Sequence, residues 1–181
     1  MCLRKKIFFG LSLGLLLAAA LSRAQAPPPS AYQLKAAFLY NFAKFIDWPP
    51  EAFAENKSPF IIGVLGDNPF GNVLDQTVAG KLINDRPITI QPFRAGDAVT
   101  NCHILFISSS EKKRLPEIIQ TLRTTAVLTV GETERFIETG GMVNFVQEAS
   151  KIRFQINDDA AKAARLKISS KLLSLAVRSP R

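Results

Sequence analysis

Short, mainly apolar runs that alternate with segments of helical length dominate this sequence of 181 residues. Each run is too short for a buried helix and is bounded by glycine, proline or polar residues, which is typical of a strand covered on both faces. Helices between such strands favour parallel pairing, because a crossover helix returns the chain to the same end of the sheet. We therefore predict an α/β fold with a mainly parallel sheet flanked by helices on both faces. The predicted strands are residues 60–65, 88–91, 103–107 and 127–130.

Capping residues and prolines predict where the helices begin and end. Ser30 is the predicted N-cap of a first helix that runs to about Asp47, where Trp48-Pro49-Pro50 stops it. Further helices are predicted over residues 73–78, over residues 111–123 behind three serines, and through Phe136 and Ile137 to Gly140-Gly141.

The end of the chain follows a different pattern. Residues 142–148 and 151–157 flank a tight Ala149-Ser150 turn, and polar and apolar side chains alternate in the second run. This alternation predicts an antiparallel hairpin with one polar face. A long C-terminal helix is predicted over residues 158–177, because the two aspartates at its start suit the helix dipole.

The N-terminus has the composition of a secretory signal peptide. A basic head at residues 4–6 precedes a mainly apolar stretch of 15 residues, and small residues follow at a suitable cleavage position. The apolar stretch is shorter than the roughly 20 residues that span a bilayer, although an uncleaved anchor is the alternative. We expect residues 1–24 to be the signal peptide, 25–30 a proline-rich lead-in, and 31–178 a single periplasmic domain.

Export changes the interpretation of the charge. The full chain has a net charge of +8, but removing residues 1–24 takes away four basic and no acidic residues, which leaves about +4. The remaining basic residues are mixed with acidic ones and form no stripe that could follow a phosphate backbone. We therefore expect no nucleic-acid partner.

Cys102 is the only cysteine outside the signal peptide, and it precedes His103, the only histidine. Adjacent strand residues face opposite sides, so these two are not expected to form a nucleophile–base pair, and they are too few for a zinc site. We predict no catalytic residues, no metal and no cofactor, and a hydrolase is the least favoured hypothesis. His103 is interpreted as a satisfied or edge histidine. Cys102 is either a buried free thiol, the favoured prediction, or an intersubunit disulfide.

Aromatic residues crowd the first predicted helix. One stripe at helical spacing is predicted to be core, and it consists of Leu34, Phe38, Phe42 and Phe45. A second apolar side is either buried within the subunit or meets a partner. The predicted partner-binding residues are Tyr32, Leu39 and Tyr40 on this second side, with Arg153, Gln155 and Asn157 on the polar face of the hairpin.

Small and polar residues follow each predicted parallel strand. In open α/β sheets such turns gather at the carboxyl edge, where ligands bind in a crevice, and helix N-termini there offer free N–H groups. Ordinary turn and capping chemistry is the alternative explanation. The predicted ligand crevice consists of Asp67, Asn68, Ser109 and Thr133.

Six segments, taken together and in this order, carry a resemblance to a known family. They are residues 35–45 (KAAFLYNFAKF) with Trp48-Pro49, 63–67 (GVLGD) with 69–71 (PFG), 102–107 (CHILFI), 140–145 (GGMVNF), 152–157 (IRFQIN) and 166–173 (LKISSKLL). This combination resembles the YfiR family of small exported bacterial proteins and covers nearly the whole mature chain. The resemblance implies a periplasmic α/β protein that dimerises and takes part in signalling.

The family's name-giving member represses a membrane diguanylate cyclase by holding its periplasmic sensor part. The leading hypothesis is therefore a periplasmic regulatory protein that represses a membrane-anchored signalling enzyme, with a diguanylate cyclase or sensor kinase as partner. The alternative is a periplasmic small-molecule-binding module that uses the predicted crevice.

Overall fold

A computed structural model describes residues 29–55 and 57–177 of the chain. The predicted signal peptide, most of the predicted lead-in and residue 178 lie outside the described residues. The strands are β1 (Ile46–Asp47), β2 (Phe60–Leu65), β3 (Leu82–Ile83), β4 (Arg86–Phe93), β5 (Ile104–Ile107), β6 (Leu128–Gly131), β7 (Val143–Glu148), β8 (Lys151–Ile156) and β9 (Lys167–Ile168). The α-helices are α1 (Ala31–Phe45), α2 (Val73–Val78), α3 (Leu115–Leu122), α4 (Asp158–Ala163) and α5 (Ser170–Leu175). Two 3₁₀ helices span Pro50–Ala52 and Ser109–Arg114.

The described strands form a seven-stranded sheet of order β3-β4-β2-β5-β6-β7-β8 and a small two-stranded sheet of β1 and β9. The five central strands of the large sheet run parallel. The edge strands β3 and β8 are antiparallel to their neighbours, and β7 and β8 form the predicted hairpin around Ala149-Ser150. The mainly parallel α/β fold predicted from the apolar runs is confirmed.

Two hydrophobic clusters cover the two faces of the sheet. Strand β5 is buried at every position, and its side chains alternate between the clusters: Ile104 and Phe106 join one, while Leu105 and Ile107 join the other. Helix α1 packs in the first cluster and α3 in the second. Because both faces of β5 exclude water, its sequence is an unbroken apolar run.

Helix α1 begins at the predicted cap. The Ser30 hydroxyl accepts a hydrogen bond from the Gln33 N–H at 3.2 Å, and the Gln33 side chain accepts one from the Ser30 N–H at 2.6 Å, which is a capping box. The helix ends at Phe45, before the predicted end, because Ile46 and Asp47 turn extended and pair with β9.

The predicted long C-terminal helix is wrong. Helix α4 ends at Ala163, and Arg165 has a φ of +62°, a conformation that no helix continues. The Leu166 side chain is then buried, and β9 pairs with β1. The chain starts a new helix only at α5, where the Ser169 side chain caps the Leu172 N–H. Tertiary pairing with a distant segment overrides the local helical pattern.

The helix predicted through Phe136 and Ile137 is also wrong. Residues 132–141 form a series of turns, and Arg135 has a φ of +60°. The Phe136 ring, fully buried, lies against both Gly131 and Gly141, and a Cβ atom on either glycine would overlap it. The turns therefore insert one aromatic ring between two glycine backbones.

Substitution of Gly131 tests this ring insertion. Gly131→Ala is expected to lower the free energy of unfolding by about 2 kcal/mol, because overpacking a rigid buried site forces the ring off its position. Urea unfolding followed by circular dichroism measures the change. Combining Gly131→Ala with Phe136→Leu, which replaces the ring by a smaller side chain, should recover part of the lost free energy of unfolding. If the double variant loses the sum of the two single costs, the ring does not cause the strain.

Candidate functional site

His103 lies immediately before β5 and is 5% exposed. Its ring stacks between Phe53 and Phe60, with ring centroids 4.5 and 4.7 Å away. Its Nδ1 atom accepts a hydrogen bond from the Ile61 N–H at 3.0 Å, so the neutral ring carries its proton on Nε2. The side chain is thus fixed in one orientation and one tautomer.

The pKa of His103 is lowered to about 4, mainly by burial and in part by the charge of the nearby Arg86 guanidinium. The nearby backbone of Ala52 opposes this shift. Within the described part of the chain, Nε2 has no hydrogen-bond partner. At neutral pH the ring is therefore uncharged, with a hydrogen-bond partner at Nδ1 and none at Nε2 among the described residues.

A cavity of about 580 Å³ borders this histidine. Its lining comes from residues just before the parallel strands β2, β5 and β6, from the segment after β1, and from Arg165. We call it the His103 cavity, and its lining residues are Glu51, Ala52, Ala54, Ser58, Pro59, Ile61, Thr100, Asn101, Cys102, His103, Thr125, Ala126, Val127 and Arg165. It lies at the amino-terminal edge of the sheet, opposite the edge where the crevice was predicted.

Cys102 is buried, as predicted, and is 4% exposed. Its Sγ atom donates to the Val99 carbonyl at 3.3 Å, and burial raises the pKa of the thiol to about 12. A thiol with such a pKa is protonated at neutral pH and is a poor nucleophile. Cys102 packs in the α3 cluster while His103 stacks on Phe60 of the α1 cluster, so the two side chains occupy opposite faces, as expected of strand neighbours.

The predicted crevice residues at the carboxyl edge line none of the five cavities described for residues 29–55 and 57–177. The Asn68 side chain is used within its own loop, where it accepts from the Phe70 N–H and donates to the Gly71 carbonyl. The Asp67 N–H donates to the Ser110 hydroxyl, while Ser109 is exposed. Thr133 is 8% exposed, and its hydroxyl has no partner among the described residues.

A partly buried ion pair at the same edge involves residues that no sequence pattern singled out. Lys35 of α1 pairs with Glu132, which follows β6, and each side chain is only 12% exposed. The Tyr32 hydroxyl donates to the same carboxylate at 3.1 Å. Burial and then the charge of Glu132 raise the pKa of Tyr32. The cluster attaches α1 to the carboxyl end of β6.

The partner-binding prediction is wrong for Leu39, which is fully buried. Ala36 and Ala43 lie on the same side of α1 and are buried as well, because their small side chains let this side of the helix approach the sheet closely. The prediction that the aromatic stripe is core is confirmed in part, since Phe38 and Phe45 pack against the core cluster that contains Phe42. Phe42 is buried, but Leu34 is 36% exposed and Phe38 is only partly buried.

The other predicted partner-binding residues differ in exposure and in the contacts they make. Tyr40 is half-buried, with the Lys81 ammonium 4.5 Å from its ring centroid. Asn157 caps α4 by accepting from the Ala160 N–H. Arg153 is exposed, whereas Gln155 is half-buried and lines a separate cavity of about 320 Å³.

An apolar groove of about 460 Å³ runs between the edge strand β8, helix α1 and helix α5. We call it the β8 groove, and it is lined by Leu34, Phe38, Ser150, Lys151, Ile152, Arg153, Phe154, Ser174 and Leu175. Within residues 29–55 and 57–177, three large apolar side chains are exposed, and two of them, Leu34 and Leu175, line this groove. The hairpin was predicted from the sequence, but the apolar groove beside β8 was not.

The described residues contain no group of three or more metal-ligating side chains close enough to hold an ion. Over the same residues, no helix has the length and apolar character needed to cross a membrane.

The fold is an α/β domain with a groove at one sheet edge and a cavity at the amino-terminal ends of the strands. The YfiR/HmsC-like family model matches residues 32–177, and the chain belongs to this family. Its members are periplasmic proteins with regulatory rather than catalytic roles. No curated protein matches the chain.

Proposed function

We propose that this chain is a periplasmic regulator that binds the external domain of a membrane-anchored signalling enzyme, such as a diguanylate cyclase, and lowers its activity. Membership of the YfiR/HmsC-like family supports the compartment and the regulatory role. The observation that carries the proposed contact is the β8 groove, where exposed apolar side chains lie beside the edge strand of the sheet.

The edge of β8 offers main-chain groups to a partner. Phe154 is opposite Phe145 in the ladder, and its carbonyl accepts from the Val177 N–H at 2.8 Å. Since outward-facing peptide groups alternate along an antiparallel edge strand, those of Ile152 and Ile156 face the same side. Because Val177 already occupies the Phe154 carbonyl, an extended segment of the partner would pair with the peptide groups of Ile152 or Ile156 while its apolar side chains enter the groove. Exposed Lys151 and Arg153 favour an acidic segment.

Regulation by binding requires a difference in affinity between two states of the partner. A ligand that binds active and inactive states equally shifts nothing, whereas a tenfold preference for the inactive state shifts the equilibrium by about 1.4 kcal/mol. The proposed segment must therefore be accessible in the inactive enzyme and withdrawn or rearranged in the active one.

Charge substitutions in the groove test this proposal. Leu34→Glu and Leu175→Glu should each weaken binding to the purified periplasmic domain of the enzyme by at least about tenfold, because a carboxylate in an apolar contact is costly to desolvate. Leu82→Glu is the matched control, since Leu82 is 54% exposed but lies on β3 at the opposite edge of the sheet. The partner is first captured by crosslinking in the native envelope, and affinities are then measured by titration.

The same variants test whether the β8 groove is instead the interface of the homodimer that the family resemblance implies. Light scattering should give the same oligomeric state for wild type and both groove variants. If the groove variants become monomeric and still bind the enzyme, the groove is the dimer interface and the proposed contact is refuted. Unchanged affinity in both groove variants also refutes it.

The alternative function, a ligand crevice formed by Asp67, Asn68, Ser109 and Thr133, is less favoured. The Asn68 amide is satisfied within its own loop, and these four residues line none of the main cavities found among residues 29–55 and 57–177.

A further inference from the structure

We propose that three lysines across the C-terminal half of α1 dock this protein on a membrane surface that carries anionic phospholipid headgroups. They are Lys44 of α1, Lys81, which follows α2, and Lys171 of α5, and we call them the lysine row. All three residues are exposed. This contact is independent of the β8 groove and of the proposed function, because it requires lipid and no partner enzyme.

Two aromatic rings of α1 hold the ammonium groups of the row. Those of Lys44 and Lys81 lie 5.5 and 4.5 Å from the centroid of the Tyr40 ring. That of Lys171 lies 5.4 Å from the centroid of the Phe45 ring. Around the helix axis, Tyr40 lies about 40° from Lys44 on one side and Phe45 about 100° on the other. Lys44 is therefore the middle of the row, and the other two lysines flank α1 on opposite sides.

Among the described residues, no carboxylate pairs with the lysine row. Helices α1 and α5 contain no acidic residue, and the three lysines form no salt bridge within residues 29–55 and 57–177. Beyond the end of α1, Asp47 lies opposite Lys167 in the β1–β9 pair, and Glu51 pairs with Arg165. The row is therefore a local excess of positive charge, and it is assembled from segments that are distant in the sequence.

The shape of this face favours a lipid surface over a folded partner. The lysine row and its two aromatic residues line none of the five cavities described for residues 29–55 and 57–177. Protein interfaces depend on side chains that fill pockets, whereas an anionic headgroup layer requires only positive charges near its surface. A lysine ammonium also lacks the fork by which arginine recognises one particular carboxylate.

The aromatic residues suit the same surface. Tyr40 and Phe45 are half-buried, so each ring supports a lysine and remains partly accessible. Tyrosine is enriched where proteins meet lipid headgroups, because its ring is apolar and its hydroxyl is polar. The row thus combines exposed positive charge with residues that are compatible with the headgroup layer.

Co-sedimentation with lipid vesicles tests the lysine row. The vesicles contain phosphatidylcholine alone, or phosphatidylcholine and anionic phosphatidylglycerol in equal amounts. The protein purified from the periplasm should bind the anionic vesicles at least about tenfold more tightly, since each lysine near an anionic surface strengthens binding about fivefold. Raising the salt concentration from about 0.02 to about 0.2 M should weaken this binding at least about tenfold, because ions screen exposed charges.

A triple variant identifies the residues responsible. The row variant combines Lys44→Gln, Lys81→Gln and Lys171→Gln, and it should lose at least about tenfold in affinity for the anionic vesicles. The three positions are exposed and form no salt bridge among the described residues, so circular dichroism should show an unchanged fold.

The control variant removes the same charge at the other end of the sheet. It combines Arg94→Gln, Lys112→Gln and Lys113→Gln, at exposed positions that follow β4 and β5, and its affinity should stay within about threefold of wild type. The proposal is overturned if binding does not depend on phosphatidylglycerol, or if the two variants lose affinity equally. It is also overturned if the row variant binds anionic vesicles as wild type does but loses affinity for the purified external domain of the enzyme, because the lysines then contact protein.

Discussion

Acidification from about pH 8 to pH 4 should remove on the order of 2–3 kcal/mol of folding stability through His103 alone, at about 1.4 kcal/mol per pH unit. The folded state keeps the ring neutral, with a pKa of about 4 against 6.5 in the unfolded chain. Between these two values the unfolded state binds one more proton than the folded state. The contribution is therefore fully present above pH 6.5, falls with the pH and levels off below about pH 4.

Urea unfolding at half-unit pH intervals measures this dependence. Carboxylates also titrate near pH 4, so the informative quantity is the difference between wild type and His103→Gln, which cannot be protonated in this range. The variant has a cost of its own at every pH, because the ring stacks between Phe53 and Phe60, but its stability should depend less on pH between 6.5 and 4. Equal slopes for the two proteins in this window would show that His103 is not kept neutral by the fold.

Loss of one partner of the Lys35–Glu132 ion pair should have a comparably large effect. Lys35→Met or Glu132→Leu is expected to lower the free energy of unfolding by about 3 kcal/mol, because each leaves the other charge partly buried and unpaired. Both side chains are only 12% exposed. Tyr32→Phe removes just one neutral donor to the carboxylate and should cost about 1 kcal/mol.

A double-mutant cycle identifies the origin of this loss. Combining Lys35→Met with Glu132→Leu removes both charges, so the double variant should be more stable than either single variant. The exposed pair between Arg135 and Glu138 is the control, and its disruption should have no measurable effect. If the losses at Lys35 and Glu132 simply add in the double variant, the two side chains do not interact in solution.

The parts of the fold that were predictable from sequence are those determined by local patterns. Helix α2 spans the predicted residues 73–78, and β2 spans the predicted residues 60–65, since glycine, proline and the apolar run mark their limits. The Ser30 cap and the hairpin turn at Ala149-Ser150 are equally local. Each depends on residues within a few positions of one another, where propensity and periodicity are informative.

The errors arise where distant residues decide the structure. Residues 167–168 form a strand because they meet residues 46–47, which no local pattern around them reveals. The buried side of α1 is centred on Ala36, Leu39 and Ala43 and includes only Phe42 of the aromatic stripe, because a helix packs most closely where its side chains are small. Hydrophobicity alone ranks the stripes in the opposite order.

The functional features were harder to predict for the same reason. Lys35 and Glu132 are far apart in the chain, so their pairing depends on where α1 crosses the sheet. The His103 cavity forms where several loops that precede parallel strands meet. A ligand site was expected at the carboxyl edge by analogy with other open α/β sheets, whereas the His103 cavity lies at the opposite edge.

The hydrogen bond from the Val177 N–H to the Phe154 carbonyl has a practical consequence for how the protein is produced. An affinity tag or fluorescent protein fused shortly after Val177 would begin directly beside β8. Such a fusion would hinder binding of the partner enzyme sterically and imitate a loss-of-function allele in a reporter assay. Immobilisation chemistry and fusions are better placed at the exposed tip around Gly96, on a loop remote from that strand in the chain.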